Sequence, residues 1–144
     1  MYKRILFPTD GSDISAKALQ HAISLARLCG AHLNVLSVKE PFPYNAISEL
    51  QPAPPQSFYD QQERLASARV NADISTATAA GISCVGHTVE ASYPWEAILD
   101  HAKTQECDLV VMASHGRRGM SALLLGSETQ KVLTHGTVPV LVVR

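Results

Sequence analysis

Short apolar runs alternate with helix-type patterns along the whole of this 144-residue chain. The strand candidates, rich in β-branched and large apolar residues, are 2–8, 32–38, 82–90, 108–113 and 137–143. Between them lie segments whose apolar residues recur at helical spacing. Near-continuous apolar strands are typical of parallel sheets covered on both faces. The alternation therefore predicts an α/β fold, an open five-stranded parallel sheet with helices on both faces.

Capping residues indicate where the helices begin and end. Ser12 or Asp13 is expected to cap the first helix, and Gly30 to end it in a left-handed conformation. Ser57 with Asp60 has the form of a capping box that opens the second helix. The proline-rich stretch 39–57 is predicted to be a loop, serving as a lid, a partner surface or a plain connection.

The strand order predicts where a ligand binds. In a sheet of order 3-2-1-4-5 the winding direction reverses between strands 1 and 4, and ligands bind beyond the carboxyl ends of strands at such a point. The loops that leave these two strands are 9–12 and 114–119, the most polar and glycine-marked in the chain. We therefore expect both loops to face one crevice.

Composition excludes several classes of protein. The formal net charge is -1, only 17% of residues are charged, and no basic block is longer than Arg117-Arg118. No apolar stretch approaches the ~20 residues that span a membrane, and the first apolar run is too short for a signal peptide. The three cysteines form no Cys-x-x-Cys pair, which argues against a disulfide framework or a zinc site. We expect one cytoplasmic domain, residues 1–144, that binds neither nucleic acid nor membrane.

A glycine-marked loop follows the fourth strand. Nine residues separate Gly116 from Gly126, which Ser127 follows at the start of a helix. Glycines allow close approach of backbone to a ligand, free amides at a helix start attract anions, and Arg117 and Arg118 add positive charge. Because the chain has neither Gly-Lys-Ser/Thr nor Gly-x-Gly-x-x-Gly, the two commonest phosphate motifs are absent. The loop predicts a different kind of phosphate cradle.

Several residues near the crevice have two interpretations. Asp10 caps the first helix or bonds within its own turn, or it contacts ribose, adenine or a metal. Val38 belongs to the core, or it supplies an apolar wall or a backbone edge for an adenine ring. Ser127 forms a capping box with Gln130 or binds a phosphate oxygen. His115 contacts a phosphate or a partner, or stacks within the loop. A catalytic role for it is disfavoured, because no carboxylate is spaced to orient its ring.

With these residues placed, the chain resembles the universal stress protein family, in particular its ATP-binding, UspA-like branch. The resemblance is carried by residues 2–12, 108–116, 125–127 and 138–143. ATP-binding members carry Gly-x-x-Gly-x(9)-Gly-Ser/Thr. Gly116, Gly126 and Ser127 match this pattern, whereas Ala113 stands at the first glycine. The resemblance implies a Rossmann-like fold of the adenine nucleotide alpha hydrolase type.

The resemblance also implies a nucleotide site for ATP, or for AMP or ADP, between strands 1 and 4. The adenosine end would contact Pro8, Thr9, Asp10 and Val38. The phosphates would lie among Ala113, His115, Gly116, Arg118, Gly126, Ser127 and Glu128, and Met112 and Arg117 complete the predicted site. Mg²⁺ or Mn²⁺ would accompany the phosphates.

The last strand indicates how the protein assembles. An apolar edge strand such as Val138–Val143 tends to pair, and Pro139 suits an edge position. Both this edge and the resemblance imply a homodimer through the last strand. We expect a stress-response switch for a protein partner, not an enzyme beyond slow ATP hydrolysis. The alternatives are a nucleotide-free interaction dimer, favoured by Ala113, and a weak ATP hydrolase that uses His115.

Overall fold

The strand order agrees with the sequence pattern. A computed structural model describes residues 1–43, 53–117 and 124–144. In chain order the elements are β1 (Arg4–Pro8), α1 (Asp13–Cys29), β2 (His32–Lys39), α2 (Gln56–Ala79), β3 (Cys84–Glu90), α3 (Pro94–Thr104), β4 (Leu109–Ala113), α4 (Ser127–His135) and β5 (Val140–Val143). The strands form one sheet in the order β3-β2-β1-β4-β5, and every neighbouring pair is parallel. The predicted α/β fold and order are confirmed.

The first helix is capped at both ends as expected. The Ser12 hydroxyl accepts a hydrogen bond of 3.2 Å from the Ser15 amide. Gly30, at φ 65°, ends the helix in the left-handed region that favours glycine. The predicted caps of α1 are therefore confirmed.

The predicted start of the second helix is wrong. α2 begins at Gln56 after Pro55, whose side chain offers no cap, so Ser57 is already inside the helix. A capping box requires its serine at the residue before the first turn. The fixed backbone of Pro55, at φ -62°, instead sets the entry into the helix. Asp60 bonds to the Gln56 side chain at 3.1 Å.

The last strand is shorter than predicted. It covers Val140–Val143 because Pro139 has no amide to donate to the ladder. The Pro139 carbonyl still accepts from the Val110 amide at 2.9 Å. β5 lies at one edge of the sheet, as the sequence predicts.

Alternation along the strands divides the apolar core into two clusters. Ile5 and Phe7 point to the face covered by α1 and α2, and Leu6 points to the face covered by α3 and α4. All three side chains are fully buried. The helices therefore lie on both faces of the sheet, as predicted.

The cysteines are partly buried and unpaired. Burial raises the pKa of the Cys84 thiol to about 11, with a further contribution from Asp73. Burial also raises the pKa of Cys107 to about 11. These two thiols are therefore largely protonated at neutral pH and unreactive. Within the three described ranges, no helix has the length and apolar character needed to cross a bilayer.

We predict that Gly86→Ala destabilises the fold by about 1–3 kcal/mol. A Cβ at Gly86 would overlap Val70 Cγ1 and lie 2.6 Å from Ile74 Cδ1 on α2. Urea unfolding measures the effect, and the same substitution should cost less in a Val70→Ala background, where one clashing methyl is gone. A variant as stable as the wild type would contradict the predicted clash, because alanine is intrinsically better than glycine in a strand.

Candidate functional site

An open cleft of about 1090 Å³ lies at the carboxyl edge of the sheet, where the loops after β1 and β4 leave side by side. It is lined by every described residue of the sequence-predicted site. These are Pro8, Thr9, Asp10, Val38, Met112, Ala113, His115, Gly116, Arg117, Gly126, Ser127 and Glu128. Arg118 lies outside the described residues. One crevice thus collects residues that the sequence separates by more than a hundred positions.

The two ends of the loop after β4 meet at Gly126. Its amide donates to the Ser114 carbonyl at 2.7 Å. A Cβ at Gly126 would lie 3.1 Å from His115 Cα and 3.3 Å from the Ser114 oxygen. A side chain at this position would crowd the backbone of Ser114 and His115.

The start of α4 has no side-chain cap. The residue before the helix is Gly126, and Ser127 is already the first helical residue. The capping-box interpretation of Ser127 with Gln130 is therefore wrong, and the side-chain amide of Gln130 donates instead to the Leu125 carbonyl at 2.8 Å. The first backbone amides of a helix have no partner within the helix. Without a cap, those of α4 are available to an anion in the cleft.

Two side chains fix the position of this helix start. The Thr129 hydroxyl donates to the carbonyl of Ala113 at 3.0 Å, which ties α4 to the end of β4. A carboxylate oxygen of Glu128 accepts from the Trp95 amide at 2.8 Å, which ties α4 to the first turn of α3. The Ala113 methyl packs against the apolar cluster shared with α1. The core thus accommodates the alanine that replaces the first motif glycine.

Asp10 links the loop after β1 to the loop after β4. Its Oδ1 accepts from the Ser12 amide at 3.0 Å, and its Oδ2 accepts from the Arg117 amide at 2.8 Å. Burial alone would raise the pKa of Asp10, but hydrogen bonds from Ser12 and Arg117 and the charge of Arg117 outweigh it and lower the pKa. A Cβ at Gly116 would lie 2.7 Å from Asp10 Oδ2, so this contact also depends on glycine.

Beneath the cleft lies a second carboxyl group. Asp73 Oδ2 is buried and has no hydrogen-bond partner among the described residues. Burial raises the pKa of Asp73, and a hydrogen bond with Thr9 opposes this only in part. The Thr9 hydroxyl also lies 3.1 Å from the Ser15 hydroxyl. The environment of Asp73 in the folded protein therefore disfavours the charged form of its carboxyl group.

His115 is held by a neighbouring hydroxyl and not by a carboxylate. Its Nδ1 lies 3.1 Å from the Ser114 Oγ. No other hydrogen bond to its ring is found within residues 1–43, 53–117 and 124–144, and no group of three or more His, Cys, Asp or Glu side chains there could hold a metal ion. The part of the cleft that the structure describes thus lacks an oriented general base and a preformed metal centre.

Sequence analysis missed Arg69, which reaches the cleft from α2. A Cβ at Gly11 would lie 3.1 Å from Arg69 Cγ, so the arginine stem lies directly over the loop after β1. The available signal was its place beside the apolar stripe of Ala66 and Val70. That stripe does not by itself specify which edge of the sheet the side chain reaches.

Fold and cleft together define a doubly wound α/β protein with an open cleft at the point where the winding reverses. The sequence profile of the universal stress protein family matches residues 1–144. The chain belongs to this family.

The sequences of known relatives align with this chain over its full length. A universal stress protein of Thermus aquaticus is 34% identical and each chain is covered completely. The universal stress protein MJ0531 of Methanocaldococcus jannaschii is 30% identical, with 100% of this chain and 83% of the relative covered.

Solved structures show the same fold. The structure of MJ0577, from the same archaeon, has a TM-score of 0.84 at 27% identity, with 99% of this chain and 96% of that chain covered. A universal stress protein in complex with cAMP has a TM-score of 0.73 at 23% identity, covering 99% of this chain and 97% of that one. One from Archaeoglobus fulgidus in complex with dAMP has a TM-score of 0.73 at 20% identity, covering 99% and 98%.

We predict opposite pH-dependent stability effects for Asp73→Asn and Asp10→Asn. The folded pKa of Asp73 is above its ordinary 3.8, so its unfavourable contribution is absent below that pH and grows as pH rises through the folded pKa. Asp73→Asn should raise the Tm at pH 7 and not below pH 3.8. The folded pKa of Asp10 is lowered, so its contribution is present above 3.8 and is lost as pH falls through the folded pKa.

Asp10→Asn should therefore lower the Tm at pH 7, with the difference shrinking in acid. Thermal melts of both variants and wild type from pH 3 to 8 measure these shifts, which should amount to a few degrees. Equal shifts of the same sign in both variants would contradict the assigned environments.

Proposed function

We propose that this protein binds ATP or a related adenine nucleotide in the cleft between β1 and β4. The observation that carries the proposal is the uncapped start of α4, which opens into the cleft behind Gly126. Helix N-termini with free amides bind phosphate groups through those amides and the helix dipole. Gly126 itself has no side chain that could come between these amides and a ligand, and a Cβ there would lie 3.1 Å from His115 Cα.

The lining residues support an arrangement of adenine, ribose and phosphates along the cleft. Its apolar part, with Pro8 and Val38, suits the adenine ring, and Thr9 and Asp10 lie beside it for the ribose. The place proposed for the phosphates is lined by the remaining predicted residues, Met112, Ala113, His115, Gly116, Arg117, Gly126, Ser127 and Glu128. Arg118 keeps its predicted phosphate role as part of the proposal.

Complexes of family members support the ligand class. Two universal stress proteins of the same fold were solved with cAMP and with dAMP. Both ligands are adenine nucleotides. We extend this ligand class to the present cleft because its own glycines and helix start supply an anion site, independently of that likeness.

Divalent ions enter the proposal only with the phosphates. The described residues offer no group of three or more metal-ligating side chains, and both oxygens of Asp10 already accept backbone amides. Mg²⁺ or Mn²⁺ would therefore be held mainly by phosphate oxygens, whose charge it would neutralise.

We propose binding rather than efficient turnover. Phosphoryl transfer needs a positioned base and charge clamps. Within the described ranges, the hydrogen bond found for the His115 ring joins its Nδ1 to the Ser114 hydroxyl, and no carboxylate there orients the ring as a base. Slow hydrolysis, if assigned to His115, would disappear in His115→Ala while nucleotide binding persisted.

The biological role in this proposal is that of a cytoplasmic stress-response switch. Partly buried, unpaired cysteines suit a reducing compartment. Edge strand β5 would pair with its copy in a homodimer, and nucleotide occupancy would alter the surface that a protein partner meets. Neither nucleic acid nor membrane is part of the proposed role.

We predict that nucleotide-free wild type binds ATP with Mg²⁺ in the micromolar range, and that Gly126→Ala weakens binding about tenfold or more. The added methyl would meet the backbone of His115 at 3.1 Å and displace the helix start from the loop. Isothermal titration measures both affinities.

Gly30→Ala is the matched control for this substitution. It adds a methyl where nothing lies within 4 Å but where φ is +65°, so it costs stability without touching the cleft. Its affinity should equal that of the wild type. No heat and no thermal shift with ATP, AMP or cAMP would reject the nucleotide site and favour the nucleotide-free interaction dimer.

We predict that Val142→Pro converts the dimer to a monomer. Pro139 and Val143 direct their carbonyls to β4, so by alternation the amide of Val142 points away from the sheet. Proline removes that outward donor without removing a bond to β4. Val142→Thr keeps the amide and the side-chain shape and should remain dimeric. Analytical ultracentrifugation gives the masses, and a wild-type monomer at micromolar concentration would contradict the dimer.

A further inference from the structure

Arg69 lines the cleft but has no role in the nucleotide proposal. It comes from α2, partly buried, and its stem lies against Gly11 at the end of β1. Its guanidinium makes no hydrogen bond or ion pair within the described parts of the chain. The positively charged side chain of Arg69 therefore lies in the cleft without a hydrogen-bond or ion-pair partner among the described residues.

Arg69 lies in a mixed electrostatic environment. Burial lowers the pKa of Arg69 and the charge of Arg117 lowers it further, whereas the charges of Asp10 and Glu40 oppose this only in part. Asp10 directs its two oxygens to the amides of Ser12 and Arg117 and not to the guanidinium of Arg69. A phosphate near both arginines would supply hydrogen-bond acceptors for this guanidinium.

Arg69 and the start of α4 approach the cleft from opposite faces of the sheet. Val70, the neighbour of Arg69, is buried in the cluster under α1 and α2. Val132 of α4 is buried in the cluster on the other face. Both elements reach the same carboxyl edge. A ligand with one phosphate can occupy one of these anion-binding elements, whereas a longer phosphate chain can engage both.

We propose that Arg69, with Arg117, forms a second phosphate-binding element opposite the α4 amides and selects nucleoside polyphosphates over monophosphates, an assignment that rests on the proposed nucleotide site. Arg69 is thus a specificity-determining residue. Its guanidinium binds the phosphates distal to the ribose, while the amides of α4 and the loop after β4 bind the proximal ones.

The test compares ATP and AMP affinities in Arg69→Gln and in the wild type, both nucleotide-free. Hydrogen bonds to charged groups correspond to a loss of about tenfold to a hundredfold in affinity when one partner is removed. We expect a loss of that size for ATP and less than about threefold for AMP on the same scale. Arg69→Lys, which keeps the charge but not the forked donors, should fall between the two.

Arg64→Gln is the matched control, since Arg64 is an exposed arginine on the same helix and is absent from the cleft lining. Its ATP and AMP affinities should equal those of the wild type. Without ligand, Arg69→Gln should melt at the wild-type temperature or above it, because burial disfavours the charged form of Arg69 and no hydrogen bond of its guanidinium to the described residues is lost. A purely structural role for Arg69 would lower that Tm and leave the ratio of ATP to AMP affinity unchanged.

The outcomes separate this proposal from the one it rests on. If the wild type binds both nucleotides and Arg69→Gln weakens both equally, or neither, the selection by Arg69 is overturned and the nucleotide site stands. If the wild type binds neither nucleotide, the nucleotide site is overturned. Titration with inorganic tripolyphosphate then tests whether Arg69 and Arg117 bind phosphate without the nucleoside. Binding that is lost in Arg69→Gln supports it, and no binding to the wild type overturns it.

Discussion

Parallel pairing of β1 with β4 is the constraint on which the cleft depends. Asp108, just before β4, fixes the start of this pairing, because its carboxylate accepts the amides of Lys3 and Arg4 at 2.8 and 3.0 Å. Its own amide donates to the Arg4 carbonyl at 2.9 Å. A slip of one residue would exchange the two faces of a strand, so the buried clusters on both sides also hold this register. With the register fixed, Asp10 and Arg117 meet, although 107 positions separate them.

The two helices α1 and α4, which both start at the carboxyl edge of the sheet, differ in how their first turns are capped. Ser12 caps α1 with its hydroxyl, so that helix satisfies part of its own first turn. α4 follows Gly126, which has no side chain, so its first turn has no side-chain cap. One local difference, a serine against a glycine, thus separates a capped helix start from the one that we propose binds phosphate. The same glycine is also demanded by the close contact with His115.

The sequence predicted the sheet order and the residues that gather at its carboxyl edge, because apolar runs, glycine caps and the loop after β4 are local signals. The capping boxes at Ser57 and Ser127 failed by a single position, since a side-chain cap depends on which residue starts the helix. Arg69 was missed for a different reason. Its role depends on how far α2 reaches along the sheet, which is a property of packing and not of spacing in the sequence. The binding roles of the cleft residues, Arg118 included, stay predictions.

The hydrogen bonds that hold α4 in place do not depend on the middle of the loop after β4. Thr129 ties the helix to β4, Glu128 ties it to α3, and Gly126 joins it directly to Ser114. None of these bonds involves residues 117–125, so substitutions between the two glycines leave the anchors in place. The position of the helix start is thus held independently of the side chains in that segment.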